Sequence, residues 1–186
     1  MRPKRPTIVA VERKYEGNRI SLRVDRARFE NGPKFDREIV EHPGSVVVIP
    51  ITKNGKILLV RQYRIPAARY LLEVSAGTIE KGESPDITAH RELQEEVGYK
   101  AGTLTQIGGS WVAPGYSTEY TYTFVATDLV PSVLPSDDGE DIAVEEVGFE
   151  DLDRLISTGE LEDQMSIAAL LIAKYVYKPI IVNKNK

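Results

Sequence analysis

The sequence of 186 residues contains no cysteine and only two histidines, His42 and His90. The absence of cysteine excludes disulfide bonds, thiolate nucleophiles, iron–sulfur clusters and cysteine-type zinc sites. Two histidines are too few for a histidine-rich metal site, and they leave only two candidate bases for a Ser-His-Asp triad. The chemistry of this chain is therefore expected from other residue types.

Long apolar runs are also missing. The longest, residues 167–173, ends at Lys174 and is well short of the roughly 18 residues that a membrane-spanning helix needs. The apolar run at residues 8–11 is too short for the hydrophobic region of a signal peptide. We therefore expect a cytoplasmic protein without a membrane partner, in agreement with the lack of cysteine.

Positive charge is scarce in the second part of the chain. Residues 1–72 carry 16 basic and 7 acidic side chains, whereas residues 73–186 carry 8 basic and 21 acidic ones. The net charge of −4 therefore combines a segment of +9 with a segment of −13. Such a division is compatible with a charged tail, with a nucleic-acid-binding face, or with a site that needs both signs.

Period-two alternation and β-branched runs predict a strand-rich chain. Residues 45–51 form a continuous β-branched run, which is typical of a strand covered on both faces. Asn54-Gly55 follows, and it predicts a hairpin that joins this strand to one at residues 57–63. Further strands are predicted at residues 20–25, 35–40, 103–112, 119–127 and 142–149.

A helix is predicted at residues 85–97. Ser84 suits the N-cap position, Pro85 suits the first helical position, and Gly98 stands where a helix commonly ends. Two further helices are predicted at residues 150–158 and 163–177. With few helices and no regular strand–helix alternation, the chain is assigned to the mixed α/β class.

Residues 1–43 are too few and too polar to form a domain of their own. Two or three strands with modest apolar content cannot bury enough surface alone. We therefore divide the chain into an N-terminal strand region, residues 1–43, and a main domain, residues 44–186. The N-terminal region is expected to pack on the main domain or on a second copy, and a homodimer is favoured.

Three carboxylates stand together near the end of the predicted helix at residues 85–97. Glu92, Glu95 and Glu96 are spaced i, i+3 and i+4, so Glu92 lies beside both others. Like charges at this spacing repel, and carboxylates are disfavoured at the negative end of the helix dipole. A solvated acidic face relieved by Arg91 is one interpretation. A bound divalent cation is the other, and carboxylates without nearby His or Cys suit Mg²⁺ or Mn²⁺.

A longer pattern contains these glutamates. Five residues separate Gly77 from Glu83, and seven more precede the run Arg91-Glu92-Leu93-Gln94-Glu95-Glu96-Val97-Gly98-Tyr99. The pattern resembles the Nudix box, G-x5-E-x7-R-E-U-x-E-E-x-G-U, in which U is apolar. All seven fixed residues match, and only Tyr99 differs from the aliphatic residue commonly found at the last position. At about 7% usage per residue type, chance produces this match about once in 10⁸ start positions.

The resemblance implies a Nudix-type α/β/α sandwich around a mixed sheet, here with an N-terminal antiparallel strand extension. It also implies Mg²⁺-dependent hydrolysis of a diphosphate linked to another group, with Mn²⁺ able to substitute. The implied metal ligands are the Ala76 carbonyl and the carboxylates of Glu92, Glu95 and Glu96. The implied catalytic residues within the box are Glu83, Arg91 and Glu95, of which Arg91 and Glu83 orient the carboxylate cluster.

Segments outside the box resemble the ADP-ribose pyrophosphatase branch of this family. Pro114 lies 16 residues after Gly98 in the run Ala113-Pro114-Gly115-Tyr116-Ser117-Thr118-Glu119, which resembles a marker of that branch. The blocks at residues 61–64 and 72–77 also resemble it, although Ser75 replaces a frequent proline. The alternative for Pro114 is a turn without a role in binding. The alternative for residues 61–64 is a solvated strand edge.

Resemblance to this branch implies a substrate-binding set. Arg64 is expected to contact phosphate, Arg37 to reach adenine or its ribose, and Glu119 to hold the terminal ribose. The other implied substrate contacts are Arg61, Glu73, Gly77 and Pro114. Glu140 is implied as a catalytic base in an acidic loop, with Asp138 as second candidate and a flexible surface loop as the alternative.

The sequence thus predicts hydrolysis of ADP-ribose to AMP and ribose 5-phosphate. Other nucleoside-diphosphate sugars, such as ADP-glucose or GDP-mannose, and a non-enzymatic nucleotide sensor are the alternatives. RNA binding is disfavoured, because the basic residues near the N-terminus form no dense run, and no nucleic-acid partner is expected. The charge division then corresponds to a cation-binding acidic part and a phosphate-binding basic part.

Overall fold

The computed structural model describes residues 4–135 and 141–177, which fall into two compact units. The N-terminal unit comprises residues 4–44 and 111–120, and the main unit comprises the remaining described residues. The described strands are β1 Thr7–Glu16, β2 Ser21–Arg28, β3 Lys34–Glu41, β4 Ser45–Pro50, β5 Lys56–Arg64, β6 Arg69–Glu73, β7 Ser75–Thr78, β8 Tyr99–Lys100, β9 Thr103–Trp111, β10 Tyr120–Thr127, β11 Val130–Pro131 and β12 Ile142–Gly148. The α-helices are α1 Pro85–Glu92, α2 Leu152–Ser157 and α3 Gln164–Ile172.

The N-terminal unit contains an antiparallel sheet in the order β1-β2-β3. Asp25 and Ala27 of β2 are buried, and every residue of β1 is exposed. Asp25 is stabilised by Arg23, whose Nε lies 2.9 Å from Asp25 Oδ1. This sheet confirms the predicted N-terminal antiparallel extension, although β1 itself lies in a segment for which the alternation pattern gave no strand.

The main unit is built on a mixed sheet with the order β7-β4-β10-β9. Its central strand β4 pairs in parallel with β10 and antiparallel with β7. A second, antiparallel sheet has the order β12-β5-β6. Because β4 has neighbours on both sides and is buried along its whole length, the β-branched run at residues 45–51 is explained.

Two apolar clusters cover the two faces of these strands. Val47 and Ile49 of β4 pack in the same cluster as the buried leucines of α2 and α3. Val46 and Val48 point the other way and share a cluster with Ala89 of α1. Alternate residues of one strand therefore face different helices, which confirms the predicted α/β/α sandwich around a mixed sheet.

The predicted helix at residues 85–97 begins and ends as expected. It starts at Pro85 after Ser84, and Gly98 adopts a left-handed conformation with φ of +78°. The structure differs in two respects. Ser84 occupies the N-cap position without a side-chain capping bond, and the last turn, Leu93–Val97, is π-helical. The final predicted helix likewise consists of α3 and a π-helical turn, Ala173–Tyr177.

The hairpin predicted at Asn54-Gly55 was wrong in one respect. The turn is present, with φ of +74° at Gly55 and a bond from Thr52 N–H to the Lys56 carbonyl. However, the flanking strands β4 and β5 belong to different sheets, and a single β-bridge between Ile51 and Ile57 stands in place of a hairpin ladder. The chain diverges after this bridge because each strand finds other partners.

Within residues 4–135 and 141–177, no helix is both long enough and apolar enough to cross a membrane.

Candidate active site

Helix α1 and its π-helical turn carry the glutamates of the box. In a π-helical turn one extra residue fits into the helix, and such turns are frequent at functional sites. Here the turn begins directly after Glu92, so Glu95 and Glu96 leave the regular α-helical register. Glu92 and Glu96 are both buried, whereas Glu95 is partly buried.

Arg91 is at the centre of this acidic group. Its Nη1 lies 2.6 Å from Glu92 Oε1 and 2.8 Å from Glu95 Oε2. Its Nε lies 3.1 Å from Glu83 Oε1, and Nη2 donates to Glu83 Oε2 and to the Thr78 carbonyl. Burial lowers the pKa of Arg91, but its bonds to Glu83 and the neighbouring carboxylates outweigh this effect and raise the pKa above the ordinary value. Arg91 therefore stays charged and holds three carboxylates together.

The Glu83 carboxylate accepts hydrogen bonds from Arg91 and from two other residues. Besides Arg91, Thr88 donates its hydroxyl to Glu83 Oε2 at 2.8 Å, and the Glu80 N–H donates to the same oxygen at 3.3 Å. The hydrogen bonds from Arg91, opposed by burial and aided by Thr88, hold the pKa of Glu83 below its ordinary value. The orienting role of Glu83 stays a prediction, and Thr88 is a partner that the box pattern did not reveal.

Strand β7 lies against the same glutamates. Ala76 N–H donates to Glu96 Oε2 at 2.9 Å. A Cβ atom built on Gly77 would lie 1.7 Å from Glu92 Oε1 and 1.9 Å from Glu92 Cδ. The glycine at this position therefore makes room for the Glu92 side chain, which packs directly against the backbone of β7.

The donor chemistry of this group suits a hard divalent cation. The expected ligands are carboxylate and carbonyl oxygens from Ala76, Glu92, Glu95 and Glu96, the ligand type that Mg²⁺ prefers. In the described part of the chain, no three Asp, Glu, His or Cys side chains are already arranged to hold a metal ion. Glu92 and Glu95 are instead bridged by Arg91, which supplies the positive charge between them. The oxygen donors fit Mg²⁺, and the metal site remains a prediction.

Arg64 and Glu73 form a second charged pair in the main unit. Arg64 at the end of β5 binds Glu73 of β6 through two nitrogens, with distances of 2.6 Å from Nη2 and 2.9 Å from Nε to Oε2. Burial lowers the pKa of Arg64, but the bond to Glu73 prevails and raises it. Glu73 is buried while the Arg64 side chain is 38% exposed. The Arg64 side chain therefore remains partly open to solvent, and its contact with phosphate stays a prediction.

Arg61 is placed differently. It lies on β5, and its guanidinium forms an ion pair with Glu145 of β12, with Nη2 at 3.3 Å from Oε2. This bond to Glu145 is the main cause that raises the pKa of Arg61. The structure therefore gives Arg61 a cross-strand partner that the sequence pattern did not indicate, and its role as a substrate contact remains a prediction.

Three predicted substrate contacts lie in the N-terminal unit. The Arg37 guanidinium stacks 4.6 Å above the Phe35 ring and lines an apolar cavity of about 540 Å³. Glu119 Oε1 lies 4.0 Å from His42 Nδ1. Pro114 is in a turn closed by a bond from the Tyr116 N–H to the Ala113 carbonyl. The structure thus places Arg37 and Glu119 on the same unit.

Glu140 and Asp138, the candidates for the loop base, lie outside the described residues. Of the predicted site residues, the structure brings Glu83, Arg91, Glu92 and Glu95 into direct contact, and it joins Ala76 to Glu96.

Comparison with known proteins agrees with this geometry. Residues 41–170 match the NUDIX domain model. An ADP-ribose pyrophosphatase of Bacillus subtilis (strain 168) is 40% identical over 166 residues, covering 87% of this chain and 89% of that protein. An ADP-ribose pyrophosphatase of Mycobacterium tuberculosis (strain ATCC 25618 / H37Rv) is 34% identical over 166 residues, covering 88% and 80%.

The fold leads to the same family. A crystal structure of an ADP compounds hydrolase superposes with a TM-score of 0.86 at 27% identity, and the match covers 97% of this chain and 98% of that one. The box around Arg91, the family model over most of the chain and the relative at 40% identity agree. The chain therefore belongs to the NUDIX family and is a Nudix hydrolase.

Proposed function

We propose that this Nudix hydrolase splits ADP-ribose into AMP and ribose 5-phosphate in a reaction that depends on Mg²⁺, with Mn²⁺ as a substitute. The observation that carries the proposal is the Arg91-centred group of Glu83, Glu92 and Glu95. The choice of ADP-ribose among nucleotide sugars is supported by the similarity of this chain to the ADP-ribose pyrophosphatases of Bacillus subtilis and Mycobacterium tuberculosis.

The reaction consumes one water molecule. A bond from the water oxygen to one phosphorus forms while the bond from that phosphorus to the bridging oxygen breaks, and the leaving phosphate takes up the bridging oxygen. When bound, Mg²⁺ neutralises phosphate charge and activates water. The groups that would hold it are the Ala76 carbonyl and the carboxylates of Glu92, Glu95 and Glu96.

Residues of this chain have separate tasks in the proposal. Arg91 and Glu83 keep the carboxylates in place through the bonds described above. Arg64, whose side chain is partly exposed, binds a phosphate, since a guanidinium matches two phosphate oxygens at once, while Glu73 fixes its orientation. Glu140 is proposed as the base that takes a proton from the attacking water.

Product identification tests this function directly. Purified protein is incubated with ADP-ribose in the presence of excess Mg²⁺, and parallel samples contain a chelator. We expect equal amounts of AMP and ribose 5-phosphate with Mg²⁺ and no turnover with the chelator. Turnover that persists in the chelator contradicts the metal requirement.

Another nucleoside-diphosphate sugar is the second candidate, because the box acts on the diphosphate and not on the sugar or base. A panel of ADP-ribose, ADP-glucose and GDP-mannose at equal concentration separates the possibilities. More than about a tenfold preference, or 1.4 kcal/mol in transition-state binding, for a substrate other than ADP-ribose overturns the choice. Binding of ADP-ribose without any turnover would instead indicate a nucleotide sensor.

We also propose that the protein is a homodimer joined through its N-terminal unit. Strand β1 exposes Ile8, Val11 and Tyr15, each at least half accessible, on an edge of the three-stranded sheet. Exposed apolar groups on an edge strand are typical of a pairing surface. Light scattering is expected to give twice the 20.7 kDa chain mass, and a Val11→Asp variant is expected to shift toward the monomer. The cytoplasmic location stays a prediction.

A further inference from the structure

Val74 marks the point at which the chain changes from one sheet to another. The residue before it, Glu73, pairs with Val60 of β5, and the residue after it, Ser75, pairs with Val48 of β4. Val74 itself belongs to neither strand. Its buried N–H donates to the Ser166 hydroxyl at 2.9 Å. A side chain therefore satisfies a backbone group at the junction of two sheets, where a buried N–H without a partner is costly.

Ser166 lies in the first turn of α3 and is itself held by Asp163, the N-cap residue of that helix. The Ser166 hydroxyl donates to Asp163 Oδ2 at 2.6 Å, and the Ser166 N–H donates to the same oxygen at 2.8 Å. A serine hydroxyl has one hydrogen, so donation to Asp163 leaves its lone pairs for the Val74 N–H. Ser166 is completely buried and Val74 is 1% exposed. The direction of both hydrogen bonds is thereby fixed.

The segment held in this way contributes to the Arg64–Glu73 pair and also contacts the glutamates of the box. Glu73, next to Val74, binds Arg64 with its carboxylate. Two residues after Val74, the Ala76 N–H binds Glu96. The anchor at Val74 therefore lies between the phosphate-binding pair and the carboxylate group of the box. Asp163 is also close enough to Arg64 to favour its charged form, and its effect on the Arg64 pKa has the same sign as that of Glu73.

We propose that Asp163 and Ser166 are positioning residues for the Nudix reaction. They fix the backbone at Val74, and with it the relative placement of the Glu73–Arg64 pair and of Ala76 beside Glu96. The inference rests on the proposed function of these two groups. Neither Asp163 nor Ser166 touches the substrate in this proposal, because both act through the Val74 backbone.

The test must distinguish the positioning role of Asp163 and Ser166 from a purely structural role. Asp163 caps α3, and loss of a cap lowers the stability of a protein without affecting its chemistry. A positioning role predicts more. Loss of the Ser166 hydroxyl would displace residues 73–76, and a displacement near the reacting groups lowers turnover far more than it lowers substrate affinity.

Three variants make the comparison. Ser166→Ala removes the hydroxyl, Ser166→Thr retains it, and Ser157→Ala removes an exposed hydroxyl of α2 that donates to the Arg154 carbonyl. For each folded variant we would measure kcat and KM for ADP-ribose well below the melting temperature. Two further measurements do not depend on activity. One is the equilibrium binding of Mn²⁺ in the absence of nucleotide, and the other is the rate of hydrogen exchange at the Val74 amide.

For Ser166→Ala we expect kcat to fall about tenfold with KM changed less than about threefold. Mn²⁺ binding should weaken, and the Val74 amide should exchange at least about tenfold faster. Ser166→Thr should recover most of the loss in all three measurements, and Ser157→Ala should match the wild type. If Ser166→Thr does not fold, the contrast between Ser166→Ala and Ser157→Ala decides.

Two results would overturn the proposal. One is faster exchange at Val74 with unchanged kcat and unchanged Mn²⁺ binding, which would leave Ser166 a structural residue only. The other is unchanged exchange at Val74 in Ser166→Ala. If the wild type does not hydrolyse ADP-ribose, the proposed function fails, whereas Mn²⁺ binding and amide exchange still report on the anchor.

Discussion

The Glu92 carboxylate fills the space beside Gly77 that any side chain at position 77 would need. A Cβ atom there would lie 1.7 Å from Glu92 Oε1, far inside the van der Waals limit. The clash involves the end of a flexible side chain, so the backbone could remain where it is while Glu92 moves away. The geometry therefore makes the glycine a requirement of the active site more than of the fold.

A Gly77→Ala variant is expected to lose activity with little loss of stability. Turnover should fall by about 100-fold, because Glu92 is pushed from its place beside Arg91. The free energy of unfolding should fall by only about 1 kcal/mol. Gly108→Ala is the matched control, since a Cβ at Gly108 meets nothing within 4 Å. Equal activity of the two variants would contradict the steric argument.

A Glu96→Gln variant should lose turnover by orders of magnitude, at least about 100-fold, if Glu96 is a metal ligand. The fold should change little, because a glutamine carbonyl oxygen can still accept the Ala76 N–H that Glu96 Oε2 now accepts. Kinetics at saturating Mg²⁺ measure the loss of turnover, and a urea unfolding curve measures any change in stability. Glu160→Gln, which alters an exposed pair with Arg154, is the control. Near-normal turnover of Glu96→Gln would refute the ligand role.

The sequence predicted individual elements of the fold because they depend on local patterns, whereas the α/β/α layering was implied by the resemblance to the Nudix family. The β-branched run of β4 and the Pro85 and Gly98 signals around α1 arise from neighbouring residues, and the structure confirms both. Pairing between distant strands has no such signal. Asn54-Gly55 correctly predicted a turn, but it could not show that β4 and β5 enter different sheets.

Short strands and the details of the site depended on tertiary structure. Strands β6 and β7 have only five and four residues, too few for a clear alternation, and they exist because β5 and β4 offer free edges. The resemblance to the Nudix box implied that Glu83 and Arg91 orient the carboxylates. The individual bonds, in which Arg91 Nη1 donates to both Glu92 and Glu95, could be seen only in the structure.

Replacement of Arg91 by lysine should cost both stability and activity. Lysine keeps the charge but has a single nitrogen, which cannot bind Glu83, Glu92 and Glu95 together. We expect the free energy of unfolding to fall by about 2 kcal/mol, as for lost hydrogen bonds to charged groups, and turnover to fall at least about tenfold. Arg154→Lys, in an exposed pair with Glu160, should change neither. Similar stabilities for the two variants would contradict the central role of Arg91.

Acid should remove the contribution of Glu83 to stability. The bonds from Arg91 hold the pKa of Glu83 below its ordinary value of 4.5, so its charged form is favoured by folding. For a carboxyl with a lowered pKa, the stabilisation is complete above the unfolded pKa and is lost as the pH falls through the folded one. The difference in unfolding free energy between the wild type and Glu83→Gln should therefore be constant above about pH 5 and shrink below pH 4.5.

Urea unfolding curves at constant ionic strength, recorded from neutral pH down to the onset of acid unfolding, measure this difference. Glu160→Gln is the control, because its exposed carboxylate pairs only weakly with Arg154, and its difference from the wild type should stay near zero at every pH. A difference for Glu83→Gln that stays constant or widens on acidification would show that the Arg91 bonds do not depend on the charge of Glu83. The shrinking difference is expected because protonation of Glu83 removes in the wild type the same charge that the substitution removes at every pH.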